Sequence, residues 1–342
     1  MAPLTVWLRT AMAERLIDGY DAALFDLDGV IYLGPVAVPS APATMDALAA
    51  DGKAVMYVTN NAARSADTVV KQLVSLGLRA GPDNVLTSAQ VAAIGLAEVL
   101  PAGAKVLVAG SASLAGLITE AGLAAVNSAE DDPVAVLQGY DPVLAWPLLD
   151  EVCLAIARGA LWFATNDDAS RPTDRGLVPG AGAMIAAVAT AIGGSPTTFG
   201  KPHRPMMAEA VRRTGARRPL FVGDRIDTDI VGANNAGMDS LMVFSGAHGK
   251  AQLVTAKPGE RPTQIGPDVS ALLEPVRTHL GSRDEATCNG QRAVPDDSRI
   301  RLATVPAGLA EQYDALWAVA GLAWAAPFLD PTPALAALDL VP

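Results

Sequence analysis

Two carboxylates stand two positions apart at Asp26 and Asp28, directly after the short apolar run of residues 22–25. On an extended chain this spacing points both side chains to the same side, at the end of the strand where Gly29 breaks it. Carboxylates held this close together repel each other unless a cation or a shared proton offsets their charge. The pair therefore indicates a site for a hard metal ion or for acid and base chemistry.

A D-x-D-G sequence also fits a calcium-binding loop or an Asx-type turn. A calcium loop of the EF-hand type requires further oxygen donors at alternate positions and a Glu at the twelfth. The residues after Gly29 are instead Val30, Ile31, Tyr32 and Leu33. The EF-hand pattern is thereby excluded, whereas a turn without chemistry stays open at this point.

Three further apolar runs also end in polar clusters. The runs and the clusters that follow them are 55–58 with Thr59, Asn60 and Asn61, 197–199 with Gly200, Lys201 and Pro202, and 219–222 with Gly223, Asp224, Asp227 and Asp229. Open α/β sheets bind ligands at the carboxyl ends of their strands. The four strand ends together supply acids, a hydroxyl, backbone amides and one lysine, an inventory that fits metal-assisted phosphoryl transfer.

The elements that must position these residues are short apolar runs that alternate with amphipathic segments. This alternation predicts a parallel sheet with helices on both of its faces. Only 33 positions separate Asp26 from Thr59, whereas 142 separate Thr59 from Lys201. Strand-like runs at 105–109, 134–138 and 161–165 fill the longer interval, so a second α/β unit is expected between the second and third clusters. The first sheet is expected to resume at residue 197.

In their order, the four clusters resemble the four motifs of the haloacid dehalogenase-like hydrolase superfamily. FDLDGV at 25–30 is similar to the first motif, VTNN at 58–61 to the second, GKP at 200–202 to the third and VGDRIDTD at 222–229 to the fourth. The resemblance implies a doubly wound, Rossmann-like parallel sheet with an inserted α/β cap of the type IIA class. The expected boundaries are 18–87 with 194–280 for the catalytic core, 88–193 for the cap, and 281–342 for a linker and a C-terminal extension.

The resemblance also implies roles for the acids of the first and fourth motifs. Asp26 would be the nucleophile that forms an aspartyl-phosphate, and Asp28 would protonate the leaving group and then activate water. Mg²⁺ would be held by the carboxylates of Asp26 and Asp224 and by the backbone carbonyl of Asp28. Asp229 would orient a metal-bound water, and Asp227 would either assist it or be an exposed acid that the helix dipole favours.

The remaining motif residues would bind the phosphate, and the cap would recognise the rest of the substrate. Thr59 and the amide of Asn60 would grip the phosphoryl oxygens, while Lys201 would offset their charge. Recognition of the leaving group would lie in the cap. The candidates are Asn166, Asp168, Arg171 and the small residues Gly180, Ala181 and Gly182, which leave room for a compact polar substrate.

Within the superfamily the chain is most similar to glycerol 3-phosphate phosphatases, which implies a part in glycerolipid metabolism. Phosphoglycolate, pyridoxal phosphate and nucleotides stay open as substrates. A phosphotransferase that uses the same phospho-aspartate is a second possibility. A non-catalytic binding protein with a partner surface on residues 300–342 is a third.

Composition narrows the function classes further. The formal charge of −11 argues against nucleic-acid binding, which depends on clustered Lys and Arg. Cys153 and Cys288 are too few and too far apart for a disulfide scaffold or a zinc site, so a reduced cytoplasmic setting is the default. Residues 1–18 predict a short helix rather than a signal peptide, and no apolar run reaches the roughly 18 residues of a membrane span. His203 and His248 are expected to be structural. A homo-oligomeric assembly of this chain stays open as a possibility.

Overall fold

The computed structural model describes residues 14–173 and 175–342, so the predicted N-terminal helix falls largely outside the described part. The first block of the chain builds one side of a parallel sheet and a small hairpin. Its elements are β1 (Ala22–Phe25), β2 (Tyr32–Leu33), β3 (Val36–Ala37), α1 (Ala41–Ala50), β4 (Ala54–Thr59), α2 (Ala66–Ser75) and β5 (Val85–Thr87).

The second block forms a separate five-stranded sheet in the order β12-β9-β8-β6-β7, together with a two-stranded hairpin of β10 and β11. Every pair in the five-stranded sheet is parallel. Its elements are α3 (Ser88–Val99), β6 (Lys105–Ala109), α4 (Ala112–Glu120), β7 (Ala124–Val126), β8 (Ala135–Gln138), α5 (Trp146–Ala157), β9 (Leu161–Ala164), β10 (Ser170–Thr173), β11 (Gly176–Pro179), α6 (Ala181–Ile192) and β12 (Thr197–Thr198).

The third block completes the first sheet, whose strand order is β15-β14-β13-β1-β4-β5. Its elements are α7 (Arg204–Thr214), β13 (Pro219–Gly223), α8 (Val231–Ala236), β14 (Asp239–Val243), α9 (Lys250–Val254) and β15 (Gln264–Gly266). The chain runs outward from β1 in one direction and then in the other. This arrangement places a topological switch point at β1, where open α/β sheets bind their ligands.

The strand before Lys201 does not lie in the first sheet. Thr197 and Thr198 pair with Phe163 and Ala164 of β9. The prediction that the first sheet resumes at residue 197 is therefore wrong, because the first sheet resumes at the next strand, β13. A two-residue strand has too few side chains to specify its sheet. The consequence is that β12 leads directly from the carboxyl edge of the inserted sheet into Gly200 and Lys201. The carboxyl edges of the two sheets therefore face the same site.

The C-terminal block folds into a four-stranded antiparallel sheet covered by a long helix. Its elements are β16 (His279–Gly281), β17 (Ala286–Cys288), β18 (Gln291–Asp296), β19 (Arg299–Leu302), α10 (Leu309–Ala325) and α11 (Thr332–Ala336). The first part of the segment 281–342, for which the sequence predicts a linker, therefore forms strands instead. One face of this sheet is solvated, and the other buries mainly small residues such as Ala286, Cys288 and Ala293, so the hydrophobic alternation is weak.

Beyond residue 300, within the region where the sequence predicts a C-terminal extension, α10 packs against the antiparallel sheet and the first sheet. Short helical turns occur at Leu16–Gly19, Pro82–Asn84, Ala129–Asp131, Ile226–Ile230, Pro258–Glu260 and Val269–Leu273. Cys153 and Cys288 are both free thiols. Within residues 14–173 and 175–342, no helix combines the length and the apolar character needed to cross a bilayer.

Candidate active site

Three buried carboxylates converge at the carboxyl edge of the first sheet. Asp26 follows β1, Asp224 follows the neighbouring strand β13, and Asp229 lies in the helical turn after it. One carboxylate oxygen of each lies within 4.8 Å of the others, and none of the three residues is more than 9% exposed. Because β1 and β13 are hydrogen-bonded parallel neighbours, their ends meet, as the sequence predicts for Asp26 and Asp224.

One buried lysine faces this acid cluster. Lys201 Nζ lies 2.5 Å from Asp26 Oδ1 and 2.8 Å from Asp229 Oδ1, and it donates to the backbone oxygen of Val58 at 3.3 Å. Burial alone would lower the pKa of Lys201, but Asp229 and Asp26 raise it, so the ammonium group keeps its charge. The cluster still holds more negative than positive charge.

Burial and the neighbouring negative charges both raise the pKa values of Asp26 and Asp224. Burial raises the pKa of Asp26 well above its ordinary value, although Lys201 opposes the shift. Burial and the neighbouring Asp229 carboxylate raise the pKa of Asp224 to about 7. Asp224 Oδ1 is buried and has no hydrogen-bond partner among the described residues. A divalent cation would satisfy that oxygen and relieve the repulsion, and the all-oxygen donor set fits Mg²⁺.

A fifth strand end, which sequence reasoning missed, forms the wall behind Asp224. Residues 245–249 follow β14, and we call them the 245–249 loop. Ala247 N donates to Asp224 Oδ2 at 2.6 Å, and Ser245 Oγ donates to the backbone oxygen of Gly29 at 2.7 Å. Gly29 has φ +90°, and a Cβ on either Gly29 or Gly246 would collide with Asp224 Oδ2. The signal in the sequence was Ser-Gly directly after an apolar run.

The close approach of Gly246 predicts that Gly246→Ala weakens Mg²⁺ binding. The added methyl group would overlap the Asp224 carboxylate, so this metal-binding side chain would have to move from its position beside Asp26 and Asp229. We expect the dissociation constant for Mg²⁺ to rise by about tenfold or more, as for the loss of a group that orients a metal ligand. Calorimetric titration with Mg²⁺ measures the change. Gly259→Ala, at a position with open space beside the glycine, is the matched control.

Asp28 lies outside the buried acid cluster and is open to solvent. Desolvation by the surrounding protein raises its pKa, while the charges of Arg64 and Lys201 oppose that shift. A reachable carboxyl group with a raised pKa suits proton transfer to and from a substrate. The predicted use of its backbone carbonyl as a metal ligand stays a prediction.

The side chain of Asn60 holds residues 200–202, which we call the lysine loop, in place. Its Oδ1 accepts from Lys201 N at 2.8 Å, and its Nδ2 donates to the backbone oxygen of Lys201 at 2.9 Å. Thr59 is buried at the end of β4, where its Oγ1 accepts from Asn61 N at 3.1 Å. Sequence reasoning assigned only the backbone amide of Asn60 to the site. The structure adds a second role, because this side chain ties Lys201 to the end of β4.

Two of the predicted cap residues reach the same network. Asp168 Oδ2 accepts from Asn60 Nδ2 at 3.1 Å and from Asn166 Nδ2 at 2.8 Å. Desolvation raises the pKa of Asp168, and the hydrogen bond from Asn60 opposes the rise. Arg171 is exposed on β10, with its guanidinium 4.9 Å from the centre of the Tyr140 ring. The structure thus brings Asn166 and Asp168 to the lysine loop and leaves Arg171 on the hairpin.

The small residues at 180–182 are explained by packing within the chain. A Cβ on Gly180 would collide with the backbone oxygen of Asp168, and one on Gly182 with that of Asp167. Gly182 N donates to Asp168 O at 2.9 Å, and Ala181 is buried at the start of α6. The space beside these residues is therefore filled by the loop at 167–169. The expectation that it is left free for a substrate does not hold at the two glycines.

Asp227 is placed apart from the acid cluster. It forms an ion pair with Arg225 at 2.6 Å, and this partner lowers the pKa of Asp227 even though desolvation opposes the change. Its position agrees with the alternative of an exposed acid near a helix start. Arg225 itself, which sequence reasoning did not single out, contributes positive charge near both Asp168 and Asp229.

The two histidines that are expected to be structural each contact a neighbouring segment of the chain. His203 Nε2 lies 2.9 Å from Asp167 Oδ2, which joins the segment after Lys201 to the cap loop. Ile226 N donates to His248 Nδ1 at 2.9 Å. Neither histidine belongs to the acid cluster.

Comparison with known proteins gives consistent matches. A haloacid dehalogenase-like hydrolase family model matches residues 23–124, and a second HAD-hydrolase-like model matches 198–272. The chain is 46% identical over 259 residues to D-glycerol 3-phosphate phosphatase from Mycobacterium tuberculosis, an alignment that covers 76% of this chain and 72% of that protein. It is 36% identical over 229 residues to an acid sugar phosphatase from Staphylococcus aureus, which covers 66% of this chain and 87% of that protein.

A solved structure matches the whole described architecture. The crystal structure of a glycerol phosphate phosphatase from Mycobacterium tuberculosis in complex with magnesium superposes with a TM-score of 0.84 and 37% identity. The match covers 96% of this chain and 99% of that one, so it includes the inserted sheet and the C-terminal block. The predicted fold class, a doubly wound parallel sheet with an inserted α/β unit, is confirmed.

Proposed function

Because the chain belongs to the haloacid dehalogenase-like hydrolases, we propose that it is a Mg²⁺-dependent phosphatase of a small phosphomonoester, above all of glycerol 3-phosphate. The observation that carries the proposal is the buried cluster of Asp26, Asp224 and Asp229 against a single lysine. The repulsion within such a cluster is relieved by a bound cation, and a metal ion held by these acids would also attract a phosphoryl group. The similarity to glycerol phosphate phosphatase from Mycobacterium tuberculosis, in sequence and in structure, supports glycerol phosphate as the substrate.

The reaction would proceed in two displacements at phosphorus. An oxygen of Asp26 attacks, the bond from phosphorus to the ester oxygen breaks, and Asp28 gives its proton to the departing alkoxide. Asp28 then accepts a proton from water, whose oxygen attacks the phosphoryl group and releases Asp26. The raised pKa of Asp28 and its access to solvent suit both proton transfers.

Charge on the transferring group would be balanced from several sides. Bound by the carboxylates of Asp26 and Asp224 and the carbonyl of Asp28, Mg²⁺ would supply electrostatic stabilisation to the phosphoryl oxygens. Lys201 holds the nucleophilic carboxylate in position, and Asp229 fixes the lysine from the other side. Thr59 and the amide of Asn60 would donate to the remaining phosphoryl oxygens.

Recognition of the leaving group is proposed for the cap, residues 88–193, at Asn166, Asp168 and Arg171. Asp168 and Asn166 lie where the carboxyl edge of the inserted sheet meets the lysine loop. A carboxylate and an amide can pair with the hydroxyl groups of a polyol. A sugar phosphate is the second candidate substrate, because the chain is 36% identical to an acid sugar phosphatase.

A panel of phosphomonoesters tests this proposal. We expect phosphate release that requires Mg²⁺, stops with a chelator, and has its highest kcat/KM with glycerol 3-phosphate. The panel includes phosphoglycolate, pyridoxal phosphate, a nucleoside monophosphate and a hexose phosphate, each measured by release of inorganic phosphate. Equal release with and without chelator contradicts the metal site. Transfer of phosphate to an added alcohol in place of release to water identifies a phosphotransferase instead.

A further inference from the structure

The 245–249 loop, which holds Asp224, is anchored from outside the catalytic sheet. Its next residue, Lys250, begins the short helix α9. Lys250 Nζ donates to the backbone oxygens of Leu338 and Val341 at 2.5 and 2.7 Å. Lys250 N also donates to the backbone oxygen of Pro342 at 2.8 Å. One lysine thus ties the end of the Asp224 wall to the C-terminal block.

The loop and the C-terminal block also touch directly. A Cβ on Gly249 would lie 2.8 Å from the backbone oxygen of Pro342, so the two backbones are in close contact. At the other end of α9, Trp324 Nε1 donates to the backbone oxygen of Leu253 at 3.1 Å. Both ends of this five-residue helix are therefore held by residues 324–342.

Apolar contacts support the same surface. Phe244, the last residue before the 245–249 loop, lies edge-on to Tyr313 of α10 with ring centres 5.4 Å apart. Ile226 and Ile230, the first and last residues of the turn that carries Asp229, belong to one buried cluster with residues of α10. The C-terminal block thus contacts the segment before the 245–249 loop, which holds Asp224, and the turn that carries Asp229.

We propose that the C-terminal block, residues 279–342, is a positioning element for the acid cluster and sets its affinity for Mg²⁺ through Lys250. A helix of five residues and a loop with glycine at 246 and 249 have little order of their own. Fixing them in advance lowers the conformational entropy that Asp224 would otherwise lose when the metal binds. This role rests on the metal site of the proposed function, and it makes Lys250 a positioning residue that touches neither metal nor substrate.

The test compares Lys250→Met with Lys250→Arg in the full chain. Calorimetric titration without substrate gives the dissociation constant for Mg²⁺. We expect it to rise about fivefold in Lys250→Met, as for the loss of one net hydrogen bond. Lys250→Arg keeps the donors and is expected to restore much of the affinity. At saturating Mg²⁺ the KM for substrate should equal that of the unchanged chain, so the effect is on the metal alone.

Two further variants keep the test decisive. Arg301→Gln removes an exposed charge elsewhere in the same block and should leave Mg²⁺ affinity unchanged. Trp324→Phe removes the hydrogen bond to Leu253 together with part of the ring that packs against Trp317. It should weaken Mg²⁺ binding in the same direction, even if Lys250→Met does not fold. Unchanged Mg²⁺ affinity in Lys250→Met and Trp324→Phe, with only a lower unfolding temperature, would overturn the proposal. A chain that binds Mg²⁺ but releases no phosphate refutes the proposed function and leaves this inference standing.

Discussion

Asp26→Asn is expected to lower phosphate release by a factor of about 10⁴ or more, the loss that follows removal of a nucleophile. The amide cannot form the acyl-phosphate bond, and Lys201 would then face Asp229 without its second carboxylate partner. Initial rates of phosphate release in saturating Mg²⁺ measure the loss. Mass spectrometry of rapidly quenched samples should show a phosphorylated chain for the unchanged protein and none for the variant.

The same substitution should not unfold the protein. The side chains of aspartate and asparagine have nearly equal volumes. An uncharged amide at position 26 also relieves part of the repulsion that raises the pKa of Asp26. We therefore expect an unfolding temperature equal to or above that of the unchanged chain at neutral pH.

A matched control separates chemistry from a general loss of acid. Asp150→Asn, at an exposed position of α5, should keep the rate within about twofold, because isolated surface changes have small effects. Phosphate release by Asp26→Asn at the control's rate would show that another group attacks phosphorus.

The parts of the site that the sequence predicts are those fixed by strand ends. Asp26 and Asp224 each follow a short apolar run, and parallel neighbours in one sheet bring such ends together whatever the length of chain between them. Lys201 and Asn60 were found by the same reasoning. Backbone alternation and sheet topology therefore bring Asp26 and Asp224 together, whereas Lys201 reaches them from the inserted sheet.

The features that were missed depend on contacts between distant segments. The two-residue strand Thr197–Thr198 carries no pattern that selects one sheet over the other, so its pairing with β9 could not be predicted. Gly246 is one of 31 glycines, and only the position of Asp224 gives it a role. The hydrogen bonds between the Asn60 side chain and the backbone of Lys201 join residues 141 positions apart. Each of these is a property of tertiary packing rather than of local sequence.

Removing the cation from the cluster is expected to have the second large effect. Lys201→Met keeps the length and the apolar stem of the side chain but leaves the three carboxylates without their buried ammonium group. We expect kcat/KM to fall by about 10²- to 10³-fold, the range for removal of one electrostatic group from an active site. Rates over a series of Mg²⁺ and substrate concentrations measure this loss. Lys257→Met, at an exposed position, is the matched control and should match the unchanged chain.

Stability should change with pH in a direction that identifies the cause. Without Lys201, the folded-state pKa of Asp26 rises further above its unfolded value, because the opposing charge is gone. A group with a raised folded-state pKa contributes stability that is present below its unfolded pKa and is lost as pH rises through its folded pKa. The unfolding temperature of Lys201→Met should therefore fall relative to the unchanged chain as pH rises from acid to neutral. Added Mg²⁺ should recover part of that loss, since it replaces the missing positive charge. If the difference in unfolding temperature between the two chains is constant with pH and unaffected by Mg²⁺, Lys201 acts through packing and not through its charge.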